Sequence, residues 1–264
     1  MKPIGVFDSG VGGLTVVKEL IRQLPYEDII YFGDTARVPY GIKSKETVVR
    51  FSIENTLFLL KHDVKLICVA CNTVSSVALP SIKSHFRIPL VGVISSAVRE
   101  AVYATQNKYI GVIGTRGTID SRTYEKEIRG LDPQIKIKTV ACPLFVPFAE
   151  EGWLSGKVVL EVAKKYLKPI KDSGCDTVIL GCTHYPLLKP VIKEVLADKV
   201  KLIDSAKQVA MEVKGILACE GLLSKNRKKA KHKFYVSDNT AWFSDVAKKF
   251  LGEPLGKVKK VNNV

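Results

Sequence analysis

The chain has little of what would mark a membrane, secreted or metal-binding protein. No stretch reaches the ~18 uninterrupted apolar residues that a membrane span needs. Met1-Lys2-Pro3-Ile4 leads straight into an apolar strand, without the pattern of a signal peptide. Histidine is scarce, at 4 residues, and no spaced Cys/His set supplies the three or four ligands of a zinc ion, so no metal is expected. The 6 cysteines lie mostly in or beside apolar runs, which excludes a loop-rich disulfide framework and fits a reducing cytoplasm. No Pro/Gly/Ser-rich linker divides the 264 residues, so two halves, if present, pack closely and share a cleft. Acidic residues are few: 26 Asp and Glu against 41 Lys and Arg leave a formal charge of +15. Much of the excess is local, in Lys225, Arg227, Lys228, Lys229, Lys231 and Lys233, and again in Lys257, Lys259 and Lys260. Basic runs can bind nucleic acid. These lack interleaved aromatics, and no helix-turn-helix, zinc-finger or RNP signature accompanies them. A solvated connection and tail is the expected reading, with no nucleic acid partner.

What is present is an alternation of strands and helices. Apolar runs over Lys2 to Phe7, Asp28 to Gly33, Lys65 to Ala70 and Leu90 to Val93 read as strands. Helical periodicity covers Leu14 to Leu24, Ser44 to Lys61, a segment from about Thr73, and Ser95 to Thr105. The second half repeats the theme, with strands near 108–114, 136–141, 176–181 and 200–203 and helices near 118–130, 155–171, 186–197 and 205–220. Phe234 to Ser237 is a late strand and Thr240 to Leu251 a last helix. Such alternation predicts an α/β fold of doubly wound parallel sheets. The expected division is a first domain of residues 1–96 plus 208–264 and a second of 97–207.

Two apolar runs end in the same way. Ile67-Cys68-Val69-Ala70-Cys71-Asn72-Thr73 and Val178-Ile179-Leu180-Gly181-Cys182-Thr183-His184 each finish in a cysteine followed by polar residues. A buried parallel strand places such residues at its carboxyl end, where open α/β sheets bind ligands. Cys71 and Cys182 are 111 positions apart. Ile4-Gly5-Val6-Phe7-Asp8-Ser9-Gly10 resembles Ile110-Gly111-Val112-Ile113-Gly114-Thr115-Arg116 at an offset of 106. Two pairs at nearly one spacing suggest two related halves. Two matched thiols facing one pocket suit a reaction that removes a proton on one side and adds it on the other.

Other residues fall at the same edge. Phe7-Asp8-Ser9-Gly10-Val11-Gly12-Gly13 is a glycine-rich turn between strand and helix, but it lacks the G-x-G-x-x-G pattern and the P-loop lysine. Asp8 would repel a phosphate. A small carboxylate held by backbone N–H groups and Ser9, with an ammonium on Asp8, fits better; helix capping by Asp8 and Ser9 is the alternative. Asp34 to Gly41 follows the second strand and either lines the pocket or makes an ordinary turn. Cys68-x-x-Cys71 matches a redox spacing, but an offset of three along a strand points the side chains to opposite faces, leaving Cys68 in the core. His184, two residues from Cys182, can polarise its thiol. Cys142, Cys175 and Cys219 have no chemical neighbour that the sequence names, and His62, His85 and His232 are expected on helices or the surface. Either Glu150 or Glu151 is a candidate carboxylate.

Taken together, Phe-Asp-Ser-Gly-Val-Gly-Gly-Leu at 7–14, Asp-Thr-Ala-Arg-Val-Pro-Tyr-Gly at 34–41, Ala-Cys-Asn-Thr at 70–73 and Gly-Cys-Thr-His-Tyr-Pro at 181–186 resemble the glutamate racemases. The resemblance runs from residue 4 to about 252. It implies two pseudo-symmetric α/β domains with the active site in the cleft between them. It also implies cofactor-independent racemisation of glutamate, supplying D-glutamate for peptidoglycan. Cys71 and Cys182 would be the two bases, assisted by Asp8, Glu150 and His184. Ser9, Pro39, Tyr40, Gly41, Asn72, Thr73 and Thr183 would bind substrate. A homodimer is the expected assembly. Aspartate racemase is the alternative within the superfamily, and a basic nucleic-acid binder the alternative outside it.

Overall fold

The structure, a computed structural model, describes residues 2–225 and 228–261. Its elements in chain order are β1 (Ile4–Asp8), α1 (Leu14–Gln23), β2 (Ile29–Gly33), α2 (Lys45–Leu60), β3 (Leu66–Val69), α3 (Asn72–Val77), α4 (Leu79–His85), β4 (Leu90–Gly92) and α5 (Ile94–Ala104). There follow β5 (Tyr109–Gly114), α6 (Arg116–Asp120), α7 (Thr123–Leu131), β6 (Lys136–Ala141), α8 (Phe145–Glu151), α9 (Lys157–Ser173), β7 (Thr177–Gly181), α10 (Lys189–Leu196) and β8 (Lys201–Asp204). The chain closes with α11 (Ser205–Cys219), β9 (His232–Val236), α12 (Thr240–Leu251) and β10 (Val258–Lys260).

Every strand of β1, β2, β3 and β7 is buried along its full length. That is why these runs are apolar throughout rather than alternating: parallel strands carry helices on both faces. The strands form two sheets, in the orders β10-β9-β2-β1-β3-β4 and β6-β5-β7-β8, with all pairings parallel. The four strands β2-β1-β3-β4 have the same order as β6-β5-β7-β8. The repeat seen in the sequence is therefore a repeat of topology: β1 corresponds to β5 and β3 to β7. Cys71 and Cys182 follow corresponding strands, and Ser9 corresponds to Thr115. β9 and α12 return the chain to the first sheet after α11, which packs against α1 and α5. One apolar cluster runs through both sheets, joining Ile4, Val6 and Tyr31 to Val112, Ile179 and Ile203.

Several expectations need correction. The helix expected near 118–130 is two helices, broken at Arg122, whose φ is +54°. The segment near 186–197 opens with a 3-10 turn, Tyr185–Leu188, before α10. Lys257 to Lys260 is not merely a solvated tail, because Val258–Lys260 pairs with β9 as an edge strand while Lys260 reaches Asp238 at 2.6 Å. An edge strand faces solvent on one side and tolerates lysine, so it lacks the apolar signature. His232 lies in β9, not on a helix, and is half-buried. Of the basic stretch 225–233, Arg227 lies outside the described residues. The flanking backbone is tied down: Ser224 N–H donates to Glu27 and Lys231 N–H to Asp28. Among the described residues no helix is long and apolar enough to cross a membrane.

Candidate active site

Asp8 ends β1 and is fully buried. Its Oδ2 accepts from Gly10 N–H at 3.0 Å, whereas Oδ1 has no partner among the described residues. Burial pushes its carboxyl above the ordinary value, while the His184 charge and the N–H groups of Gly13, Gly10 and Ser9 pull it back. Neither Asp8 nor Ser9 is the N-cap residue of α1; that place is taken by Gly13, which has no side chain to offer. The glycines serve another end. A Cβ on Gly12 would lie 2.3 Å from Thr183 Oγ1 and 2.5 Å from His184 Nδ1. Only a bare backbone lets the loop after β1 meet the loop after β7.

The two thiols occupy corresponding places with unlike neighbours. Cys71, at the N-terminus of α3, donates to Ser9 Oγ over 3.7 Å. Burial pushes its thiol up to about 12, and the Asp8 carboxylate adds to the rise. Cys182 Sγ stands 3.7 Å from His184 Nδ1, and His184 Nε2 is 3.0 Å from Glu150 Oε1. Burial alone would pull the imidazolium down, but the contacts with Cys182 and Glu150 outweigh it and hold His184 at about 10. Both thiols are 5% exposed. Glu150, rather than the exposed Glu151, makes the contact with His184. Cys68 lies in a different apolar cluster from Cys71, as the period-two argument requires. The described cysteines are all free thiols, and no group of three or more His, Cys, Asp or Glu stands ready for a metal among the described residues.

The remaining expected residues surround these groups. Asn72 Oδ1 accepts from Tyr124 OH at 2.6 Å, and its Nδ2 has no partner among the described residues. Thr183 carbonyl accepts from Thr15 Oγ1 at 3.1 Å, and Thr183 Oγ1 is 3.5 Å from His184 Nδ1. Thr73 Oγ1 lies 3.0 Å from Thr115 Oγ1 and 3.3 Å from Thr118 Oγ1. Thr115 and Thr118 were missed in the sequence, although the offset of 106 pairs Ser9 with Thr115 and gave the signal. Of Pro39, Tyr40 and Gly41, it is Gly41 that meets this rim, where a Cβ on it would lie 2.8 Å from Thr115 Cβ; Pro39 is exposed and Tyr40 buried. The Tyr40 hydroxyl is engaged elsewhere, donating to Asp34 and accepting from Asn55 Nδ2 at 3.2 Å. Asp34 does not line a pocket. It is fully buried and also accepts from Arg37 Nε at 2.6 Å and Ser237 Oγ at 2.9 Å, fixing the 34–41 turn from below.

Known proteins share this fold and much of this sequence. Residues 4–213 match the family model described as Asp/Glu/Hydantoin racemase. The chain is 51% identical over 261 residues to a glutamate racemase of Geobacter metallireducens, covering 99% of this chain and 97% of the relative. Its structure superimposes with a TM-score of 0.95 on a glutamate racemase isoform from Bacillus anthracis, at 41% identity, covering 99% of this chain and 97% of that one. The glutamate racemase of Francisella tularensis in complex with D-glutamate gives a TM-score of 0.93 at 41% identity, with the same coverage. Two thiols at corresponding strand ends, on this fold and with this extent of match, place the chain in the Asp/Glu/hydantoin racemase family.

Proposed function

We propose that the chain interconverts L- and D-glutamate without a cofactor, using Cys71 and Cys182 as the two proton-transfer groups. The observation that carries this reading is the pair of buried thiols at corresponding strand ends, one beside a carboxylate and the other beside an imidazole–carboxylate pair. An amino-acid α-proton is a very weak acid. Without an electron sink, the charge that develops on its removal must be met by fixed donors in a water-poor site. Two unpartnered buried atoms suit the α-substituents of such a substrate: Asp8 Oδ1 for the ammonium and Asn72 Nδ2 for a carboxylate oxygen. Ser9, Thr73, Thr183 and the backbone of 39–41 complete the pocket.

At the start of a turnover one cysteine is a thiolate and the other a thiol. The thiolate sulfur takes the α-proton on one face, and the opposite thiol gives its proton to the other face. The centre inverts, and the two sulfurs exchange protonation states. One direction begins with the proton on Cys71, whose thiol burial pushes up to about 12. The reverse direction begins from the opposite state. Placement of both sulfurs matters more than the basicity of either. The reading includes a homodimer in the cytoplasm supplying D-glutamate to peptidoglycan synthesis, with residues 1–96 and 208–264 closing against 97–207.

Optical rotation of L-glutamate and L-aspartate, each with the pure protein and no added cofactor, tests this. Loss of rotation with glutamate is expected. A clear preference for aspartate would turn the reading to aspartate racemase, since one methylene is a modest discriminator. No racemisation, with salt-sensitive DNA binding instead, would favour the nucleic-acid reading.

A further inference from the structure

We propose that Phe250, with a smaller part played by Lys249, is a positioning residue for the Cys182–His184–Glu150 relay. The inference rests on the two-thiol reading above. The two ring nitrogens of His184 are engaged along one line, by Cys182 Sγ at 3.7 Å and by Glu150 Oε1 at 3.0 Å. Contacts at the two nitrogens and the bond to Cβ locate the ring, and its tilt about the line of the nitrogens is what those contacts restrain least. Phe250 supplies that restraint. Its ring stands perpendicular to the imidazole, at 89°, with centroids 5.4 Å apart. An edge-to-face pair of this kind has a definite preferred geometry. Phe250 is also 2% exposed, so it keeps water from the imidazole.

The residue next to it acts on the other member of the pair. Glu150 lies in the last turn of α8, a helix of seven residues that ends at Gly152 with φ +78°. Lys249 Nζ donates to the carbonyl of Glu150 at 3.2 Å, satisfying an acceptor that the short helix leaves open. The lysine is exposed, so this contact is the weaker of the two.

The position of α12 is set elsewhere. It lies in the chain between β9 and β10, the two strands at one side of the first sheet. Phe243 packs on Tyr31 of β2 with centroids 6.0 Å apart, and Asn239 caps its first turn by accepting from Trp242 N–H. Cys182, His184 and Glu150 all follow strands of the second sheet. Phe250 thus carries the placement of the first sheet onto the imidazole that serves Cys182. Gly12 meets the same imidazole from the first sheet's other loop.

A double-mutant cycle on the full-length protein distinguishes positioning from packing. In the natural background, Phe250→Ala is expected to lower kcat about tenfold while KM stays within about twofold. In a His184→Asn background the same substitution is expected to change kcat less than about twofold, because the group it orients is gone. An equal tenfold loss in both backgrounds, or a loss carried by KM, would overturn the proposal. Phe250→Leu keeps apolar bulk without the flat ring and serves in the same cycle should the alanine variant not fold. A second readout needs no turnover: alkylation of Cys182 and Cys71 by iodoacetamide, followed by mass spectrometry. Phe250→Ala is expected to change the rate at Cys182 at least about threefold more than at Cys71, and parallel changes would refute the assignment. Racemisation by the unsubstituted protein is measured alongside, so failure of the two-thiol reading shows there, and failure of the positioning role shows in the alkylation ratio.

Discussion

Replacing Glu150 by glutamine keeps the shape of the side chain and a hydrogen-bond acceptor for His184 Nε2, and removes only the charge. His184 is held at about 10 against an ordinary 6.5, with burial opposing and two partners, Cys182 and Glu150, responsible for the rise. Its side chain is 6% exposed, so solvent screens the contact little. If Glu150 carries about half of the rise, its charge is worth on the order of 2 kcal/mol, or between one and two in pH. The folded protein binds this proton more tightly than the unfolded chain does. The corresponding stability is complete below about pH 6.5 and is lost as pH rises through about 10. In Glu150→Gln the contribution should be smaller and its loss, which still begins near pH 6.5, should be complete at lower pH. The alkaline limb of kcat/KM, where it reports His184, should move down by the same one to two in pH. Initial rates by coupled assay or circular dichroism across pH 6 to 11 would show it. Glu151→Gln is the control, since Glu151 is exposed and its profile should not move. An unmoved limb in Glu150→Gln, or an equal shift in Glu151→Gln, would refute the coupling of Glu150 to His184.

Further outcomes follow from the same geometry. Gly12→Ala puts a methyl 2.3 Å from Thr183 Oγ1 and 2.5 Å from His184, so kcat should fall at least a hundredfold for a stability cost of about 1–3 kcal/mol; near-normal turnover would show that the loops have room to part. Asp8→Asn and His184→Asn should alter kcat and its isotope effect unequally in the two directions, since Asp8 acts on Cys71 and His184 contacts Cys182; kcat/KM must fall equally both ways because the equilibrium between enantiomers is fixed. The buried pair of Lys65 and Glu27, 2.5 Å apart and at the opposite end of β3 from Cys71, should show the converse: Glu27→Ala should lower unfolding stability by about 3–5 kcal/mol in denaturant titrations and leave kcat of the folded enzyme unchanged.

The sequence carried the fold because its inner strands are apolar at every position, and a parallel sheet covered on both faces asks for that. β10 escaped notice because two of its three residues, Lys259 and Lys260, are exposed lysines. The break at Arg122 was hidden because no glycine or proline marks it. At the site, Cys71 and Cys182 were legible as strand ends that repeat. Cys68 was set aside by the two-residue period of a strand. Glu150 could not be chosen over Glu151, because its partner His184 lies 34 positions away and the pairing exists only in three dimensions. Thr118 and Tyr124 reach Thr73 and Asn72 across the two halves, and no local spacing encodes that approach. Phe250 belongs to an amphipathic helix whose apolar face reads as ordinary core.

The central claim is that two sulfurs flank one α-carbon. The measurement that addresses it most directly is elimination of the halide from each enantiomer of a β-halogenated glutamate analogue by Cys71→Ser and Cys182→Ser. Elimination needs one base, whereas inversion needs two. A serine hydroxyl is far too weak an acid to supply a ready alkoxide, so each variant should lose racemisation by at least about a thousandfold. Each should still eliminate from one enantiomer, and the two variants should choose opposite enantiomers. The same enantiomer chosen by both variants, or full racemisation by either, would contradict the account.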